Sequence, residues 1–182
     1  GIIKALKDKF GKRLLHQRCA IHKDKNIQKH VAKRHRNRVH LLFKTALQQT
    51  KYDDAHKALC ELEKELMTMN VSAARSLREA MDELLTLHRL GVSGDLYKAL
   101  YTTNAIENVF SSVRHREHNI KNYNPEYRGR NRKKNISQRW LAAVFLKAEQ
   151  NFRTVRGYQQ IKSIIKTIEK LQSENIDKKN KA

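Results

Sequence analysis

One Pro and six Gly in 182 residues leave almost nothing to interrupt a helix, and this scarcity of breakers constrains the fold more than any other feature. Where neither residue punctuates the chain, apolar spacing decides what forms, and here most of it follows the helical period. Helices are expected over residues 1–10 (with Gly11 as stop), 26–49, Tyr52–Met69 and 73–89, the last through Leu77, Met81, Leu84, Leu85 and His88. Residues 14–18 read as a short buried strand. Residues 91–94, with Gly at both ends, form the clearest linker, and residues 137–151 a late amphipathic helix carrying Trp140 as a core residue. Beyond Tyr158 a helix-prone tail is expected to fade into disorder over residues 177–182.

Charge comes next. Thirty-nine Lys and Arg against 18 Asp and Glu give +21, an excess that points to a polyanionic partner, nucleic acid before a membrane surface. The longest apolar run, residues 141–146, is far short of the ~20 residues that span a bilayer. Two cysteines, Cys19 and Cys60, make no disulfide framework and suit a reducing cytoplasm. The charge is also uneven. Residues 12–44 hold 11 cations and the single acid Asp24, residues 51–90 six cations and eight acids, and residues 114–139 nine cations and two acids. A near-neutral helical block between two basic pieces is the pattern of an inserted, self-packing subdomain flanked by DNA-facing segments.

Chemistry concentrates at residues 101–116. Asn104 is a good N-cap, Glu107 follows three residues later, and Ile106, Val109, Phe110 and Val113 continue at helical spacing, so a helix begins here with one apolar stripe. Glu107, Ser111, Arg114 and His118 share a second face, placing one carboxylate beside a basic strip suited to a metal and a phosphate. The same Asn-x-x-Glu spacing is also an ordinary capping box. Residues 121–135 combine Pro125, Gly129 and Asn with Tyr123 and Tyr127. They read as a loop that is either merely solvated or a clamp in which Arg128, Arg130, Arg132, Lys133 and Lys134 hold phosphates and a Tyr stacks on an unpaired base. Cys19 and His22 have the spacing of half a zinc site, with no second paired half among His16, His30, His35 and His40.

Thr102, Thr103, Asn104, Ala105, Ile106 and Glu107, with Val113, Arg114 and Arg116 beyond, resemble the Thr-Thr-Asn-Pro-Ile-Glu and Val-Arg-x-Arg signature of Mutator-type bacterial insertion-sequence transposases. Gln17, Arg18, Cys19, His22 and Lys23 resemble that family's Cys-x-x-His stretch. Arg139 and Trp140, then Phe152 to Tyr158, resemble its C-terminal end, so the resemblance covers residues 1–160. It departs at Ala105, where Pro is usual, and at Asn108, where Ser is common; neither change removes a ligand.

The resemblance implies an RNase-H-like α/β core of which this chain is a mostly α, C-terminal portion. Residues 1–32 would close the core's first half, 33–92 would be a helical insertion between the second Asp and the catalytic Glu, 93–160 the return to the core, and 161–182 a basic tail. It implies that Glu107 is catalytic and a ligand for Mg²⁺ (or Mn²⁺), helped by two Asp residues outside this chain. Arg114, Arg116, Lys121, Arg128, Arg130, Arg132, Lys133 and Lys134 would contact DNA, and Thr102, Thr103, Asn104, Cys19 and His22 would support the site. The chain opens at Gly1 without an initiator Met, and the family's second Asp would directly precede it, so a fragment inactive by itself is expected. The partners implied are insertion-sequence ends, target DNA and further copies in a synaptic complex, in the nucleoid of a bacterial cytoplasm. The competing class is a non-catalytic basic helical protein binding DNA or RNA through its backbone, with Glu107 a cap.

Overall fold

In a computed structural model, which describes residues 2–11, 14–118 and 136–180, the described residues are helical with no β-strand among them. The helices are α1 (Ile2–Phe10), α2 (Ala20–Lys29), α3 (Lys33–Leu47), α4 (Tyr52–Met69), α5 (Val71–Arg78), α6 (Met81–Leu84), α7 (Thr86–Arg89), α8 (Gly94–Leu100), α9 (Asn104–Glu117), α10 (Ile136–Glu149) and α11 (Ile161–Asn180), with a 3₁₀ turn at Tyr158–Gln160. They divide into two compact units, Gly1–Thr102 with Arg156–Ala182, and Thr103–Val155.

The first unit is built on two apolar clusters. In the larger one Ile27 of α2, Val39 and Phe43 of α3, Leu59 and Leu66 of α4, Leu77 of α5, and Leu84 and Leu85 meet with side chains almost wholly removed from water. Each burial of that kind stabilises by roughly 1.5–3 kcal/mol, enough in sum to make this the anchor of the unit. The smaller cluster joins Leu87, Leu90, Val92 and Leu96 to Ile164, Ile168 and Leu171 of α11. The approach of the chain to α8 requires Gly157. Its φ is +77°, and a Cβ there would lie 2.9 Å from the Leu96 backbone nitrogen, so any other residue would both strain the backbone and push α8 away.

Four expectations change. The helix foreseen over 26–49 is two helices: Val31 is buried, α2 ends in tight bonds from the His30 and Val31 N–H groups to the Ile27 and Gln28 carbonyls, and α3 restarts after Ala32. The break lets α2 pack on α5 while α3 packs on α4. Residues 73–89 likewise form α5, α6 and α7 in succession, although Leu77, Met81, Leu84, Leu85 and His88 are all buried as their spacing requires.

Residues 14–18 are irregular rather than a strand, because their polar groups bind a helix end instead of a neighbouring strand. The Arg18 N–H donates to the Glu83 carbonyl, the Gln17 side chain donates to the Leu84 carbonyl and accepts from the Leu87 N–H, and the Thr86 hydroxyl donates to the His16 carbonyl. The tail foreseen as disordered is helical through Asn180, with no Gly or Pro after Gly157 to stop it; residues 181–182 lie outside the described residues.

The second unit pairs α9 with α10. Val113, Val144 and Ala148 are buried apolar residues among those described in it, and Phe110 meets Phe145 edge to face with centroids 6.4 Å apart. Trp140 is half-buried on α10.

Candidate active-site helix and basic surface

The start of α9 is set by Thr103, one residue earlier than the sequence pattern implies. Thr103 is the N-cap, and its carbonyl accepts the first helical bond from the Glu107 N–H at 2.9 Å. Glu107 is therefore the fourth helical residue, one beyond the position from which a capping-box carboxylate reaches back to the cap. Its carboxylate accepts the Thr103 hydroxyl proton, which ties the side chain to the turn that precedes it. Thr102 stands just before this turn, and Asn104 is the first residue of the helix.

Glu107, Ser111, Arg114 and His118 are all exposed, so the face their spacing defines is open to a ligand. Arg114 stands seven residues on, about two turns and ~10 Å along the axis on the side of Glu107. Arg116 does not join them. Nine residues beyond Glu107, it projects from roughly the opposite side of the helix, half-buried beside Val113, and its Nη1 atom has no hydrogen-bond partner among the described residues. Lys121, Arg128, Arg130, Arg132, Lys133 and Lys134, with the loop read at 121–135, lie outside the described residues.

Cys19 and His22 belong to the other unit. Cys19 is the N-cap of α2 rather than the end of a strand, and its sulfur lies 3.2 Å from Nδ1 of His22 in the first turn. Among the described residues no group of three His, Cys, Asp or Glu side chains comes together as a metal site, and other histidines are engaged elsewhere, His40 with Asp24 at 2.6 Å and His16 with Glu83 at 3.2 Å. The exposed cations of the first unit include Lys25 and Lys29 on α2 and Lys33, Arg34, Arg38 and Lys44 on α3. Arg38 is paired with Glu65 through two bonds, so its charge is partly spent within the fold.

Two features escaped the sequence reading. Lys23 is buried, its ammonium held by the Ser76 carbonyl and hydroxyl and by the Glu79 carboxylate at 2.7 Å. Asp24 is buried beside it on α2. The signal for Asp24 was present, since one acid among 11 cations in residues 12–44 is not placed there for solubility.

Helix α9 thus presents the Glu107 carboxylate near its start and Arg114 two turns beyond on the same exposed face. Comparison with known families gives the class directly: the family described as Transposase, Mutator family, matches residues 1–154. The chain belongs to the Mutator family of transposases, the family its signature residues resemble. No curated protein matches the chain, and no solved structure does.

Proposed function

We propose that this chain supplies the last of three carboxylates, Glu107, to the Mg²⁺ (or Mn²⁺) centre of a DDE-type transposase that cleaves and transfers strands of an insertion sequence. The observation that carries the reading is the exposed Glu107 carboxylate, one residue past the capping-box position, tied to Thr103 and sharing its face with Arg114. The family membership supplies the reaction class.

One exposed carboxylate is a hard oxygen donor suited to Mg²⁺ but is no cage, and no further cluster of acids stands among the described residues. The other ligands in this reading are two Asp residues outside the 182, and the chain alone does not cleave DNA. When bound, the ions would polarise the attacking water or 3′-hydroxyl and neutralise the leaving oxygen. The chain's own residues do the positioning. Thr103 orients the Glu107 carboxylate, and Arg114 holds a phosphate on the same face. The complete core in this reading is RNase-H-like, with residues 33–92 as its helical insertion, and it works as several copies in a synaptic complex.

The exposed cations should make the 182-residue chain bind DNA with little sequence preference. In a titration at increasing salt, log affinity is expected to fall linearly with log salt at a slope of about −0.9 per phosphate contact, and Arg114→Ala to reduce that slope by about one unit. A slope near zero contradicts the electrostatic account. Duplex DNA bound with a steep slope by an extended chain that cleaves it in neither Mg²⁺ nor Mn²⁺ would support a non-catalytic DNA-binding protein instead.

A further inference from the structure

Helices α2 and α5 pack within the first unit, and an open groove of about 500 Å³ runs between them. On α2 its wall is Lys23, Asn26 and Lys29, three residues apart, and on α5 it is Ser72, Arg75 and Glu79, so each helix presents one polar face. The two ends of the groove differ. At one end Lys23, in the first turn of α2, bonds the Ser76 carbonyl and the Glu79 carboxylate where α5 finishes, and Arg18 shares that carboxylate. The helices therefore run in opposite directions, and the other end brings Lys29, from the last turn of α2, beside Ser72 and Arg75.

This second end carries unneutralised charge. Lys29 and Arg75 are both exposed, and among the described residues lining the groove the one acid is Glu79, already held by two cations. Neither Lys29 nor Arg75 has an ion-pair partner among the described residues, whereas Arg38, Arg78 and Lys98 are each bonded to a carboxylate. Two like charges converging on one groove repel, and an anion held between them removes the repulsion. The Asn26 amide and the Ser72 hydroxyl are exposed in the same groove as neutral donors. Arg and Lys with Asn and Ser are the side chains that grip phosphate oxygens, and an open groove admits the backbone of a polymer.

We propose that the α2–α5 groove docks the backbone of duplex DNA, with Lys29 and Arg75 on its phosphates and Asn26 and Ser72 donating to phosphate oxygens. The proposal rests on the DNA-binding reading and gives it a defined surface on the first unit. It also brings in Arg75, which lies in the near-neutral block of the sequence rather than in either basic piece.

Duplex titrations of the 182-residue chain at increasing salt test it. Replacing both cations, Lys29→Ala with Arg75→Ala, is expected to make the log–log salt slope shallower by about two units, each lost phosphate contact removing about 0.9. Lys57→Ala with Lys64→Ala removes the same charge from exposed positions on α4 and is expected to leave the slope close to the parent's. An unchanged slope in the groove variant, or an equal fall in both variants, overturns the groove and leaves DNA binding standing. A parent slope near zero overturns both. Lysine acetylation of the unsubstituted chain, read by mass spectrometry, decides the matter even if a variant fails to fold. Saturating duplex is expected to slow acetylation of Lys29 several-fold and to leave Lys57 and Lys64 reactive. No protection of Lys29 overturns the proposal, and protection by polyglutamate but not by DNA overturns it in favour of an acidic protein partner.

Discussion

Glu107→Gln, in a chain extended upstream to bring in the two expected Asp residues, should lower Mg²⁺-dependent strand cleavage ~10³-fold or more while folding and DNA binding stay close to the parent's. The magnitude corresponds to at least ~4 kcal/mol of lost transition-state stabilisation, the scale expected when a metal centre loses a charged ligand. Gln keeps the shape of the side chain and can still accept the Thr103 hydroxyl proton, so the local structure has no reason to change. Glu107 also lies one residue past the position a capping box uses, and its backbone N–H bond to Thr103 does not depend on the side chain. Cleavage at the parent rate, or a melting temperature lowered in proportion to the lost activity, would return Glu107 to a structural role.

Glu79→Ala should destabilise the first unit by roughly 2–3 kcal/mol, measured by denaturant or thermal unfolding. Lys23 is 4% exposed, and its ammonium joins α2 to the last turn of α5 by bonding the Ser76 carbonyl, one of the terminal carbonyls that no helical N–H can reach. Removing its anion leaves a buried charge with two neutral partners. Breaking a fully buried pair typically costs ~3–5 kcal/mol, and the lower figure here allows for the 59% exposure of the Glu79 side chain to screening water.

The hydrogen bond from Lys23, ahead of its charge and that of Arg18, holds the Glu79 carboxyl below its ordinary range. The folded value lies below the unfolded one, so the pair's contribution is complete above the unfolded carboxylate pKa of ~4.3 and is lost as pH falls through the depressed folded value. The difference between parent and Glu79→Ala stability should therefore shrink on acidification below about pH 4. A difference that is constant with pH would mean that the ion pair is not its cause.

The legible parts of this chain were those that a single element decides. The fourth helix, Tyr52–Met69, has the bounds its apolar spacing defines, and Glu107, Ser111, Arg114 and His118 share an exposed face as their period requires. Breaks at residues 30–32 and 79–80 were hidden because no Gly or Pro marks them; they arise where one helix must leave its partner for another, a choice made by tertiary packing. Residues 14–18 looked like a strand because an apolar pair beside polar residues suits either a sheet or an extended segment, and only the contacts with Glu83, Leu84 and Leu87 distinguish the two.

The candidate site was legible where its residues lie on one helix and illegible where the answer is a side-chain rotation. Arg114 and Arg116 look equivalent in the motif, yet two positions along a helix turn Arg116 away from the carboxylate. Asp24 and Lys23 are neighbours in a basic run, and their burial depends on α3, α5 and α8, which sequence proximity does not bring together.

The central claim, that Glu107 is a metal ligand, is tested most directly by metal rescue. Glu107→Cys in the extended chain replaces a hard oxygen donor with a thiolate, which suits Mg²⁺ poorly and tolerates the softer Mn²⁺ better. The account predicts that strand cleavage by Glu107→Cys is lost in Mg²⁺ and regained in large part in Mn²⁺, while the parent cleaves in both. Cleavage by the Cys variant at the parent rate in Mg²⁺, or equal loss in both ions with an intact fold, would contradict it.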